Sequence, residues 1–481
     1  MSKSPVISGF RWTLLTTLLR RVMTLILFYF VAKWLSREDL GVFREYSLIL
    51  GLLTVLGSFS FDFNYVVERR RSLTALTALW QFSLLASIAG FLLLTFSSGW
   101  LGSLYKSETL AALLRWTSLF LVIELLRRAV RALAARQLQF RELALAETYN
   151  VLFYSLLTIV LLYFSRSVLL FVIAFYLGNL FELIYLWKLN AKAVSAVLRS
   201  RINKLGIMTS SFRHLRGFLS QATLVSVVNL FSGNAPVLIL GALLDPVSIG
   251  LFYFASQLVG VPVGMFTGAV NQVLFPVFAG KQDGDIGVMA QRYLRQAGMV
   301  GLPVLLLFCY VMMYLTGWLF GDKWSEAVPL IPAMFLLYGT SLYVNPLSGI
   351  PFIRRKPGWE LVWNLVSLTV KVGAMLWGLQ VSFAIAVWYF SLAAAFTHLA
   401  FYLMAMLIIR ADLLRQAFEL VLSLLPSLVF ASALYHLSFL ESGYALPSAA
   451  VLLIVILVTS DLLTRGKLRS DLRLLLFNKS E

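Results

Sequence analysis

The chain has 481 residues, 60% hydrophobic and only 13% charged, and its mean hydropathy of +0.85 excludes a soluble domain of this size. Its net charge of +18 is carried in short basic clusters between long apolar runs, which excludes a basic domain that holds nucleic acid. The same charge fits cytosolic loops attracted to anionic membrane lipids. A single cysteine, Cys309, lies inside an apolar run, so no intrachain disulfide is expected and no metal, redox or cofactor role is indicated.

Apolar runs of about 20 residues predict fourteen transmembrane helices, over approximately 11–34, 42–66, 78–98, 110–131, 143–165, 167–189, 218–241, 248–275, 293–316, 327–351, 359–379, 383–409, 416–436 and 444–464. The expected fold is all-α and polytopic, because these runs are too long and too uniformly apolar for the alternating strands of a barrel. The first run is too long and starts too polar for a signal peptide. It carries Arg20 and Arg21 about 14 Å from Arg11, near the middle of a hydrocarbon core about 30 Å thick. A central arginine costs about 3 kcal/mol or more to insert, so such a residue faces water or a partner. On the helical wheel Thr13, Thr16, Thr17, Arg20, Arg21 and Thr24 share one face, opposite a leucine-rich one. Guanidinium groups form bidentate, charge-assisted bonds with phosphate oxygens, so the pair is a candidate site for an anionic, phosphate-bearing substrate. The competing reading is an internal salt bridge to an acid such as Glu124 or Glu182.

In the second span Ser47, Gly51, Thr54, Ser58 and Asp62 form a polar stripe; Asp62 either coordinates a coupling ion or pairs with Arg69 to Arg71. Arg115, beside Trp116 in the fourth span, is a further candidate substrate-binding cation, although snorkelling alone also accounts for it. Glu124 has Arg127 and Arg128 three and four residues on, so it is either an intrahelical ion pair or a proton site. Glu124, Asp62 and Glu182 are the candidates for H+ or Na+ coupling. Gly260, Gly264 and Gly268 around Pro262 give the eighth span a closely packing, bendable face. Asp283-Gly284-Asp285 reads as a solvated turn rather than a metal and nucleotide-sugar motif. In the eleventh span Glu360, Asn364, Ser367 and Lys371 share a stripe, and Lys371 is the deep cation that either lines a cavity or forms a structural pair. His398 is expected to pack or hydrogen-bond rather than relay protons. No catalytic triad, ligand cluster or phosphate loop is present, so no enzyme activity is expected.

Counted loop by loop with the N-terminus inside, thirty of the 40 lysines and arginines fall on the cytosolic side and six outside, which predicts both termini in the cytosol. The longest break, 190–217, is basic and separates six spans from eight. Leu40-Gly41-Val42-Phe43 with Ser47 and Ile249-Gly250-Leu251-Phe252 with Ser256 echo one another at the second helix of each half. This division predicts a six-helix lobe over 1–189, a connector over 190–217, a second six-helix lobe over 218–409, and two additional helices with a basic tail over 410–481.

Several stretches resemble the polysaccharide transport branch of the multidrug/oligosaccharidyl-lipid/polysaccharide exporter superfamily, which includes the Wzx-type O-antigen flippases. They are Leu138-Gln139-Phe140-Arg141-Glu142-Leu143-Ala144, Asp245-Pro246-Val247-Ser248-Ile249-Gly250-Leu251-Phe252-Tyr253-Phe254-Ala255, Val273-Leu274-Phe275-Pro276-Val277, and Leu319-Phe320-Gly321-Asp322-Lys323-Trp324 with Ala327 and Pro329. The resemblance implies two six-helix lobes around a central cavity that opens alternately to either side of the bacterial inner membrane. It implies a lipid-linked oligosaccharide of the undecaprenyl-pyrophosphate type as substrate, held through its pyrophosphate by Arg20 and Arg21. A glycan polymerase and assembly proteins are the partners it implies. The chain departs from the pattern at Asn234-Ala235-Pro236, where family members often carry a charge, which leaves cation coupling in the second lobe in doubt. The expected function is a flippase for O-antigen or a related surface polysaccharide unit. A cation-coupled drug antiporter of the same superfamily, and a membrane glycan polymerase or ligase, are the alternatives.

Overall fold

The computed structural model describes residues 5–59, 61–62, 65, 73–199, 204–279, 282–354, 356–437 and 442–463; Arg69 to Arg71 and the basic tail from 465 lie outside them. The described residues are helical, with no strand. Among the described residues, eleven helices are long and apolar enough to cross a membrane, or twelve if the pair Glu108–Thr117 and Phe120–Arg136, bent by 54°, is one span. Fourteen were expected. The first expected span, in α1, is not in this set, and the last supplies only a shorter apolar helix, Pro447–Ser460.

The chain divides into two compact units, Met1–Tyr253 and Phe254–Glu481. The first holds α1 (Pro5–Trp34), α2 (Arg37–Ser58), α3 (Leu73–Leu104), α4 (Glu108–Thr117), α5 (Phe120–Arg136), α6 (Phe140–Phe164), α7 (Val168–Leu189), α8 (Ala191–Arg199), α9 (Lys204–Leu243) and the start of α10 (Pro246–Ala279). The stretch expected as a connector is thus helical in α8 and again from Lys204 onward. Ser36 and Asp39 form a reciprocal capping box that starts α2, and Phe59 closes it in the left-handed region (φ 42°), its N–H bonded to Val55 and Leu56.

Two apolar clusters organise the first unit. Val42, Tyr46 and Leu50 of α2 pack with Leu110 and Leu114 of α4, Leu121 and Leu125 of α5 and Val172 of α7. Leu79 and Trp80 of α3 pack with Val130 and Leu133 of α5 and Leu186 of α7. Helix α5 contributes to both clusters, which fixes the direction of its remaining, polar face. The echoed glycines meet here. A Cβ at Gly41 would stand 1.8 Å from the Pro246 carbonyl oxygen, and one at Gly250 would stand 1.8 Å from that of Arg37. Each glycine therefore faces backbone four residues before the other, an arrangement that leaves no space for any side chain.

The second unit contains the rest of α10, α11 (Asp283–Gln296), α12 (Leu302–Phe320), α13 (Ile331–Val344), α14 (Ile350–Ile353), α15 (Pro357–Leu379), α16 (Phe383–Ile408), α17 (Leu413–Leu437) and α18 (Ser442–Leu463). A π turn, Ala297–Gly301, joins α11 to α12. The two C-terminal helices are built into this unit. Phe430 and Leu434 of α17 and Ala449 and Ile456 of α18 pack with Tyr310, Ser427 Oγ donates to the Gly298 carbonyl at 3.2 Å, and Arg295 pairs with Glu419 at 3.4 Å.

Candidate functional site

The polar face of α5 is set by helical spacing: Glu124, Arg127 and Arg131 lie at i, i+3 and i+7, while Leu121, Leu125, Val130 and Leu133 turn into the two apolar clusters. Helices α6 and α7 present matching pairs three residues apart, Glu147 with Asn150 and Asn179 with Glu182. These side chains converge inside the first unit.

The result is one continuous alternation of charges. Arg20 of α1 pairs with Glu147 of α6, which also pairs with Arg131 of α5. Arg131 in turn pairs with Glu182 of α7, whose other oxygen accepts from Arg127 at 2.9 Å. Arg127 closes the ladder on Glu124, with bonds of 2.7 and 3.0 Å to the two carboxylate oxygens. Asn150 donates to Glu182 at 2.6 Å and to the Asn179 carbonyl oxygen at 3.0 Å, and Asn179 donates to Glu124 at 3.3 Å. Glu182 is 0% exposed, so its charge is sustained by two guanidinium groups and an amide rather than by water. At the open end, Arg20 also donates to Thr17 Oγ1 at 2.9 Å and to the Thr16 carbonyl at 3.3 Å.

Charge counting within this ladder isolates one residue. Arg20, Arg127 and Arg131 balance Glu124, Glu147 and Glu182, three against three. Arg21, next to Arg20, is exposed and pairs with no carboxylate among the described residues. The cluster therefore ends in one uncompensated guanidinium beside another that is held by a single partly exposed carboxylate.

The other sequence candidates are distributed differently. Arg20 has an acidic partner, but it is Glu147 rather than Glu124 or Glu182. Glu124 has its intrahelical partner in Arg127. Asp62 pairs with Arg128 at 2.7 Å, a partner on α5 that was not expected. Arg115 is exposed at the end of α4 beside the exposed Trp116, outside the ladder. Lys371 is buried on α15 in the second unit, where Ser367 of the same stripe bonds Thr397 at 3.2 Å. His398 bonds Thr340 at 3.0 Å, whereas Asp283-Gly284-Asp285, expected as a solvated turn, opens helix α11, with Asp283 paired to Arg354 at 2.5 Å.

Sequence reasoning missed Glu147, Asn150, Asn179 and Arg131 as members of the site. The signal was the recurrence of polar pairs one helical turn apart on three neighbouring spans, together with arginines whose spacing continues the α5 stripe.

Comparison with known proteins gives the following similarities. A family described as "Polysaccharide biosynthesis protein" matches residues 30–329, a stretch that begins after Arg20 and Arg21. The lipopolysaccharide biosynthesis protein WzxC of Escherichia coli K12 is 22% identical over 391 residues, covering 80% of this chain and 77% of WzxC. The teichuronic acid biosynthesis protein TuaB of Bacillus subtilis 168 is 21% identical over 366 residues, covering 75% of this chain and 73% of TuaB. Among solved structures, the lipid II flippase MurJ in an inward closed conformation superposes with a TM-score of 0.67 at 14% identity, covering 94% of this chain and 98% of that one. An inward-facing multidrug resistance MATE family transporter gives a TM-score of 0.58 at 13% identity, with 82% and 98% covered. The fold is that of these transporters, and the chain is a multi-pass membrane protein.

Proposed function

The chain belongs to the polysaccharide biosynthesis protein family, and we propose that it is a flippase for a polyprenyl-pyrophosphate-linked oligosaccharide, acting by alternating access in a bacterial inner membrane with both termini cytosolic. What carries the reading is the open end of the charge ladder. Arg21 pairs with no carboxylate among the described residues, and Arg20 is held by Glu147, a carboxylate that a more highly charged pyrophosphate outcompetes. The pyrophosphate binds across Arg20 and Arg21 while Glu147 remains neutralised by Arg131. The sugar then crosses in water and the prenyl chain in lipid, which avoids exposing a charge to hydrocarbon.

The names of the relatives support the substrate class: two act in making bacterial surface polysaccharides, and MurJ flips a lipid-linked saccharide. A drug antiporter shares the fold, but its cationic substrates would be repelled by a site whose spare charge is positive. Deleting the gene in its host tests the proposal. Surface polysaccharide is expected to disappear while its lipid-linked unit accumulates on the cytosolic face; undiminished surface polysaccharide would overturn the reading.

A further inference from the structure

Glu45 is a carboxylate that the ladder does not use. It lies on α2 one turn beyond Gly41, is 0% exposed, and neither of its oxygens takes part in a hydrogen bond. No basic side chain pairs with it among the described residues. Its surroundings are built tightly from the α9–α10 hairpin and the end of α3. A Cβ at Gly241 would stand 3.1 Å from Glu45 Oε1 and 2.5 Å from the Tyr105 ring, so the bare glycine is what admits the carboxyl group.

The neighbouring charges are engaged elsewhere. Arg44, next in the chain, donates to Asn234 Oδ1 at 2.5 Å and lies over the Tyr253 ring at 5.5 Å. On α4, Glu108 and Arg115 are exposed; on α5, Glu124 is bound to Arg127; Asp245, before α10, is exposed. Tyr46 of α2, Tyr105 after α3 and Tyr176 of α7 share the apolar cluster around α2; Lys106, beside Tyr105, is exposed, and Arg37, Glu38 and Asp39 stand at the start of α2, where Asp39 is held by the Ser36 cap. An ionised carboxylate here would lose its hydration and gain nothing in exchange, so the site holds the neutral acid. Glu124, Asp62 and Glu182 differ in this respect, since each is bound by an arginine.

We propose that Glu45 is a proton-binding site, and that its protonation allows α2 to close on the α9–α10 hairpin through Gly41, Gly241 and Gly250. The step is one proton from water joining one carboxylate oxygen; its release restores the charge, which must regain water, and so separates α2 from the hairpin. This assignment rests on the flippase reading for its purpose, since it makes the proton the ion that drives the cycle. The proton-binding event itself does not depend on the substrate.

Two measurements test it separately. Infrared difference spectra of the full-length protein in membranes are expected to show a protonated-carboxyl band at neutral pH that is absent in Glu45→Gln and displaced in Glu45→Asp. An unchanged band in both variants would overturn the assignment whatever the protein transports, and if Glu45→Gln fails to accumulate, the band in Glu45→Asp decides. In liposomes, the equilibrium ratio of a polyprenyl-pyrophosphate oligosaccharide between the two leaflets is expected to shift about tenfold per unit of imposed pH difference with wild-type protein, as one-proton coupling requires at zero membrane potential, with no response to a sodium gradient. A wild-type response to sodium alone, or an undiminished pH response in Glu45→Gln, contradicts proton coupling at Glu45. Absence of wild-type flipping with the infrared band present would instead count against the flippase reading.

Discussion

At the scale of single residues, Arg20 and Arg21 are adjacent but stand in different surroundings. Arg20 is bonded to Glu147 and to two groups of its own helix, whereas Arg21 is exposed and unmatched by any carboxylate among the described residues. Arg21→Ala is therefore expected to reduce transport at least tenfold without moving the thermal unfolding midpoint of the purified protein. Arg20→Ala should reduce transport and lower the midpoint as well, because Glu147 loses one of its two partners. Equal midpoints for the two variants would contradict the division of roles. Glu182 is the structural centre of the ladder. Removing its carboxylate leaves Arg127, Arg131 and Asn150 without their common acceptor, a loss of about 3–5 kcal/mol for a buried pair. Glu182→Ala is thus expected to unfold at markedly lower temperature or to fail to accumulate. A wild-type midpoint for that variant would show that the ladder does not stabilise the fold.

At the scale of helices, the glycine contact between α2 and α10 gives the sharpest expectation. Because each absent side chain would meet backbone at 1.8 Å, Gly41→Leu and Gly250→Leu cannot be accommodated by rotating a neighbour. Each is expected to abolish transport; efficient transport by Gly41→Leu would contradict the close approach. This contact was partly legible in the sequence, where the two glycine motifs stood out as an echo, but nothing in the spacing said that they touch. The helices themselves were legible because long apolar runs leave few other conformations. The span count was not, since the fourth expected span bends by 54° between α4 and α5 and the last holds only a shorter apolar helix, Pro447–Ser460. The ladder was half legible. Arg20, Glu124 and Glu182 stood out by burial cost, but Arg127 and Arg131 read as cytosolic charges near a helix end, and Glu147 did not stand out among the residues that open the fifth span. Their meeting depends on the packing of α1, α5, α6 and α7, which no single helix encodes. Glu45 is not legible as a buried acid because it sits between Arg44 and Tyr46 near the start of α2, where a charged residue ordinarily reaches water.

At the scale of the whole molecule, each unit contains polar groups buried at a cost that apolar residues would avoid. In the first unit these groups end at Arg21; in the second, Lys371 is buried on α15, His398 of α16 is half-buried, and the π turn at Ala297–Gly301 is held by Ser427 of α17. Shortening the chain before α17 is expected to destabilise the second unit, because Glu419, Ser423 and Ser427 all bond to it. Stable accumulation of a chain ending at residue 410 would contradict that. In the proposed function Arg20 and Arg21 together hold the anionic lipid-linked saccharide that this membrane protein moves. The most direct measurement is flipping of a polyprenyl-pyrophosphate oligosaccharide in liposomes carrying the wild-type protein or the Arg20→Ala, Arg21→Ala double variant, scored by an external probe of the sugar. Rapid exposure with the wild type and background exposure with the double variant is the expected result; equal exposure with both would contradict the account.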